Sequence, residues 1–159
     1  MANDAASNAA DSSAPRRRQI QLSEAEQAAF FATHRKAALA TIDRDGYPHM
    51  VAMTFGVRDG AFYMTSYAKA QKVLNLRRNP KAALMVEAGD SYGELKGVMV
   101  RGECAILEGE DAVREAWAII TGSTPRRRET SDSAAKRVVL KLVPQRIVSW
   151  DHTKLGGRY

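Results

Sequence analysis

Thr65 and Ser66 end one apolar run, and Lys69 and Lys72 open the helical pattern that follows it, within the segment Thr65 to Pro80. Two hydroxyls and two ammonium groups at the start of a helix suit an anion. The first amide protons of a helix are unpaired, and its dipole is positive there. Lys69 and Lys72 are three positions apart, which places both on one side of a helix near that end. On a helical wheel Lys72 falls between Lys69 and the apolar pair Val73 and Leu76, close to the packed face. The competing reading is an amphipathic helix with solvated lysines. The position of Lys72 beside apolar residues favours a phosphate.

A second feature complements the first. The run Tyr47 to Val57 alternates, with Tyr47, His49, Val51, Met53 and Phe55 on one face. The other face carries Pro48, Met50, Ala52, Thr54 and Gly56, most of them small. Small side chains leave room for a flat ring against the backbone, whose amides and carbonyls then read its polar edge. Close helix packing would select small residues equally well.

Other catalytic constellations are missing. There is no Gly-x-Ser-x-Gly elbow, His-Glu-x-x-His pair, Walker loop or Gly-x-Gly-x-x-Gly turn. His34, His49 and His152 have no carboxylate or nucleophile partner in sequence and read as surface or packing residues. Cys104 is the single cysteine, so no intramolecular disulfide forms; it reads as a small buried thiol. One cysteine and three scattered histidines do not supply the spaced ligands of a zinc site, so no metal is expected. Chemistry in such a chain falls to a bound cofactor, which the protein binds and orients.

The elements that must position these residues follow from periodicity. Ser23 and Glu26 form a capping box ahead of a helix over 24–34. Strands are expected over 37–43, 47–57 and 61–66, joined by Asp45-Gly46 and Asp59-Gly60 turns. A helix over 69–78 stops before Pro80. Strands over 81–88 and 96–107, a helix over 110–121 and a last strand over 137–150 complete the order. Pro144 marks a bend or an edge in the last of these. Six strands with helices between them predict a mainly β, α+β chain folded as an antiparallel barrel.

The 159 residues fit one domain, 19–159, behind a disordered tail over 1–18. No apolar run is long enough to span a bilayer and no secretory signal is visible, which predicts a cytoplasmic protein with no membrane partner. The net charge of +6 suits an anionic partner, and part of it comes from two triplets, Arg16–Arg18 and Arg126–Arg128. Neither triplet interleaves aromatics as a single-strand platform would, so both read as solvated charge and nucleic acid is disfavoured.

The order helix, Ala-Thr-Ile-Asp-Arg-Asp-Gly-Tyr-Pro, strand, Asp-Gly turn, strand, then Lys-x-x-Asn-Leu-Arg-Arg-Asn-Pro resembles the pyridoxamine 5′-phosphate oxidase-like split-barrel superfamily. Within it the chain is most similar to the flavin/deazaflavin oxidoreductases of actinobacteria, their B class. The resemblance covers about Leu22 to Trp150 and is sharpest over Leu39–Pro48 and Lys72–Pro80. It implies a split β-barrel homodimer with cofactor sites at the subunit interface. It implies that Thr65, Ser66, Gln71 and Lys72 hold the cofactor phosphate, and that Ala52, Met53 and Thr54 line the tricyclic ring. Relatives often carry Arg where this chain has Ala70; either Lys69 takes that role or the phosphate is held less firmly. The end of the chain resembles the tail of some members, which implies either ring contacts by Trp150 and Lys154 or a frayed terminus.

The implied activity is hydride transfer between bound coenzyme F420 or FMN and a small organic substrate. F420 adds a polyanionic tail, which the charge of +6 and the residues Arg77, Arg78 and Arg101 suit. The alternatives are an FMN-dependent pyridoxamine-phosphate-oxidase-like enzyme and a non-enzymatic flavin- or haem-binding protein.

Overall fold

The computed structural model describes residues 15–122 and 133–156. Most of the expected tail, the triplet Arg126–Arg128 and the last three residues lie outside the described residues. Arg16–Gln19, which straddle the expected end of the tail at residue 18, form a helical turn, α1.

Helix α2 (Glu24–Thr33) begins at the capping box: Ser23 Oγ accepts from the Glu26 amide at 3.3 Å, and Glu26 Oε2 accepts from the Ser23 amide at 2.6 Å. Strands β1 (Lys36–Ile42), β2 (Pro48–Thr54), β3 (Gly56–Arg58) and β4 (Ala61–Tyr67) follow. Helix α3 (Gln71–Arg78), β5 (Lys81–Ala88), a 3-10 turn over Tyr92–Glu94, and β6 (Lys96–Leu107) come next. Helix α4 (Glu110–Thr121), β7 (Arg137–Asp151) and a second 3-10 turn over His152–Leu155 end the order.

The described strands form one curled antiparallel sheet of seven in the order β2-β1-β5-β6-β7-β4-β3. Six strands were expected, and the difference is local. The single run read over 47–57 breaks at Phe55, whose side chain turns fully into the core and whose amide donates to Arg35 O at 3.1 Å. Gly56 then carries the chain so close to α4 that a Cβ there would collide with the Ile119 backbone. The chain therefore leaves β1 and starts β3 against β4.

The concave side of the sheet holds the main core. Leu39, Leu84, Val98, Val100, Leu140 and Leu142 are fully buried there under Phe30 and Phe31 of α2 and Val73 and Leu76 of α3. Strand β4 faces two ways: Phe62 and Met64 join this core, while Ala61 and Tyr63 pack against Val113 and Ala116 of α4. Pro144, expected at a bend or edge, sits opposite Gly102 beside a β-bulge between Arg101 and Gly102. Cys104 is buried in the main core, and burial pushes its thiol up to about 12. Thiolate is the reactive form. Native protein is thus expected to resist thiol-modifying reagents at pH 8, with full labelling only in denaturant; rapid labelling of native protein by mass spectrometry would contradict the buried placement.

The two chain ends are clasped. Lys154 Nζ donates to Gln21 O at 2.8 Å and pairs with Glu26 Oε2 at 2.7 Å. Asp151 caps the last 3-10 turn through Thr153 and pairs with Lys96 at 3.1 Å. Burial alone would raise the Asp151 carboxyl, but hydrogen bonds from Thr153 and Lys96 outweigh it and hold it below the ordinary value. A carboxyl depressed by folding contributes stability above its unfolded pKa, roughly 4, and loses it as pH falls through the folded value. The urea midpoint of the wild type is therefore expected to fall more steeply below about pH 4 than that of Asp151→Asn. Parallel curves would remove Asp151 from the acid transition.

Candidate cofactor site

Alternation along β4 sends Ser66 to the core side, where it is buried, and Thr65 to the α4 side. Helix α3 then brings Lys72 back to the first of these: Lys72 Nζ donates to Ser66 Oγ at 3.3 Å. The ammonium is half-buried, and burial pushes its pKa below the ordinary lysine value. None of the ion pairs among the described residues takes it up. Ala70, at the N-cap of α3, offers no side-chain acceptor to the first-turn amides. A partly desolvated cation outside those ion pairs, beside a hydroxyl and an uncapped helix start, has no anionic acceptor among them, and a phosphate supplies one.

Thr65 is not part of that cluster. Its Oγ1 accepts from Trp117 Nε1 of α4 at 3.3 Å. Lys69 is exposed in the turn ahead of α3, because the helix begins at Gln71 and not at Lys69. The expectation that Lys69 and Lys72 share a helix face therefore does not hold. Gln71 Nε2 donates to Asn75 Oδ1 at 2.8 Å, so its amide braces the helix.

Asn75 was not singled out in the sequence, yet it organises this end of the sheet. It is fully buried, donates from Nδ2 to Thr41 Oγ1 at 3.0 Å, and accepts from Gln71 and from Arg78 NH2 at 3.0 Å. Thr41, also fully buried, donates to His49 O of β2 at 3.4 Å. A polar chain thus runs from the start of α3 through β1 to β2. His49 Nδ1 lies buried at that end with no partner among the described residues. A buried orphan nitrogen of this kind asks for a polar ligand or a water. The only hint of it in the sequence was the position of His49 on the face of β2 shared with Val51 and Met53.

The expected ring-lining residues divide. Ala52 and Thr54 are exposed on the convex face of β2, while Met53 turns inward and packs against the main core. Ala52 belongs to a row of register neighbours across five strands, Ala52–Ala38–Met85–Met99–Val148. A shallow concavity of about 400 Å3 lies there, edged by Lys36, Met50 and Glu87. Trp150 lies half-buried over Gly97, where any Cβ would collide with its indole. Lys154, expected near a ring, is engaged in the clasp to Gln21 and Glu26. Of the arginines credited with a polyanionic tail, Arg77 pairs with Glu108 at 2.7 Å and Arg78 donates to Asn75, which leaves Arg101.

A curled antiparallel sheet with a donor cluster at the start of an inserted helix is the arrangement of a split-barrel protein. The chain belongs to the pyridoxamine 5′-phosphate oxidase family, whose model matches residues 23–151. Its structure is similar to that of the conserved hypothetical protein Rv2991 from Mycobacterium tuberculosis, at 37% identity over 92% of this chain and 95% of that one, with a TM-score of 0.80. An F420 reductase is 24% identical over 75% of this chain and 93% of its own, with a TM-score of 0.60. The haem storage protein HutZ from Vibrio cholerae is 19% identical over 79% of this chain and 94% of its own, with a TM-score of 0.62. The last two similarities show the fold alone. No curated protein matches the sequence.

Proposed function

We propose that the protein is an oxidoreductase that binds coenzyme F420, with FMN as the alternative cofactor, and works as a cytoplasmic homodimer on a small organic substrate. The observation that carries this reading is the Lys72–Ser66 pair, a half-buried ammonium beside a hydroxyl at an uncapped helix start. These residues fit the phosphate of either cofactor. Ala52 and Thr54 offer the flat, small-residue surface a tricyclic ring needs. When bound, such a cofactor supplies two-electron hydride transfer. The chain holds its phosphate at Lys72 and Ser66, fixes α3 through Asn75 and Thr41, and leaves the ring face to the substrate. The family and the basic charge of +6 support F420, whose tail is polyanionic.

The test is a parallel fluorescence titration with F420, FMN and haem at one salt concentration, with Trp150 as reporter. Tight F420 binding with turnover of the reduced cofactor by an acceptor supports the proposal. Preference for FMN selects the oxidase-like alternative. Binding of haem alone, or of flavin without turnover, replaces an enzyme with a carrier.

A further inference from the structure

Beside the Ala52 row on the same convex face runs a second row of register neighbours, Ala40–Ala83–Arg101–Arg146. Two alanines make a low floor, and two arginines stand side by side at its end. Like charges directly opposed on neighbouring strands are destabilising. None of the ion pairs among the described residues relieves them, and none takes up Lys81, which borders the same place. Glu103 stands opposite Lys81 in register but forms no ion pair with it. The bulge between Arg101 and Gly102 shapes the rim, and Gly102 is required there because a Cβ would run into Val143 O.

These residues, with Ile42 in the floor, enclose a concavity of about 390 Å3. That is within the range of small-molecule sites, roughly 300–1,000 Å3. Its chemistry is divided: an apolar floor of Ala40, Ile42 and Ala83, and a cationic rim of Lys81, Arg101 and Arg146. The neighbouring concavity at Ala52 differs, because its lining includes one lysine, Lys36, and one glutamate, Glu87. Two exposed arginines on neighbouring strands, in none of those ion pairs, can both reach a planar oxyanion seated between them.

We infer that this cleft is a binding subsite for an organic carboxylate with a flat apolar body, the body lying on Ala40 and Ala83 and the carboxylate between Arg101 and Arg146. The rows of Ala52 and Ala40 are two positions apart along β1 and β2, roughly 7 Å. A planar acid seated in the cleft therefore reaches the surface assigned to the ring. The identification of this acid as the substrate class rests on the proposed function; the binding of the carboxylate does not.

The probe is benzoate, with benzamide as its uncharged match and inorganic phosphate as an anion without a body. Each is titrated into the full chain by NMR, with the oligomeric mass measured in parallel. Benzoate is expected to bind at least about 10-fold more tightly than benzamide, and Arg101→Gln and Arg146→Gln each to erase that difference. Ala83→Leu keeps the charges and fills the floor; it is expected to abolish benzoate binding and spare phosphate. F420 affinity stays unchanged in Arg146→Gln and Ala83→Leu. Equal binding of benzoate and benzamide overturns the inference. So does a shift in oligomeric mass in the arginine variants without loss of benzoate binding, since the counter-ion is then a carboxylate of a second copy. Failure of F420 and FMN to bind the wild type, with benzoate still selected over benzamide, sinks the proposed function and leaves the subsite standing.

Discussion

Lys72→Ala is expected to lower F420 or FMN affinity by about 10- to 100-fold while the fold and oligomeric mass stay intact. The ammonium is half-buried, has only the Ser66 hydroxyl as a hydrogen-bond partner, and has no carboxylate in ion-pair contact among the described residues. A charge-assisted hydrogen bond to phosphate in such a place is worth about 1.5–3 kcal/mol, which sets the fold-change. Stability should hold or rise slightly, because an uncompensated, partly desolvated charge is removed. The pH dependence has a definite sign. Burial favours the neutral amine, so affinity is expected to decline on the alkaline side at a lower pH than an ordinary lysine would give. Ser66→Ala should give the same pattern at smaller amplitude. Wild-type affinity in Lys72→Ala, read by fluorescence titration, would remove the residue as an anion ligand.

Asn75→Ala is expected to destabilise the protein by about 2–4 kcal/mol and to weaken cofactor binding as well. Asn75 is fully buried and joins Gln71, Arg78 and Thr41. Removing the amide leaves the Gln71 and Arg78 donors without their acceptor and the buried Thr41 hydroxyl without its donor. Unsatisfied buried groups cost about 1–3 kcal/mol each, less whatever water recovers. The same change unties α3 from β1, so Lys72 loses its fixed position relative to Ser66. Asn75→Asp separates the two effects. It keeps the acceptor for Arg78 and Gln71 and loses the donor to Thr41, and should recover part of the binding but little of the stability. Urea denaturation and cofactor titration on the same samples check both. A loss of stability below about 0.5 kcal/mol in Asn75→Ala would show that the network does not hold this end of the sheet.

What was legible in the sequence was local. The Ser23–Glu26 box fixes the start of α2 through atoms three positions apart, and the Asp-Gly turns fix two reversals in the same way. The break at Phe55 was hidden because the alternation from Tyr47 continues through it. Only the close approach of Gly56 to α4, remote in sequence, turns the chain there. Lys69 was misplaced for a related reason. Ala70 at the N-cap carries no capping side chain, so nothing in the sequence marks where α3 begins. Ser66 and Lys72 could be paired from the sequence, and their side chains do meet, because helix and strand periodicity bring near neighbours together. Thr65 was grouped with them although alternation turns it towards Trp117. Asn75 and the Arg101–Arg146 pair were beyond reach, since their meaning comes from partners on other strands. Lys154 looked free for a ligand until the clasp with Glu26 showed its charge in use.

Strand β7 is the last of the described strands in the chain, yet it stands between β6 and β4 in the sheet. Until it emerges from the ribosome, β6 ends one half of the molecule as an open edge, and the β3–β4 hairpin has no neighbour to join. Leu140 and Leu142, which complete the core, arrive only with that strand. The nascent protein therefore cannot close its sheet during most of its synthesis. Its half-built edge is guarded by Lys96, Arg101 and Glu103, charged residues that discourage pairing with another chain. A stop codon or a pause before Arg137 would leave that edge bare, so termination there should yield aggregate and not a shortened, folded protein.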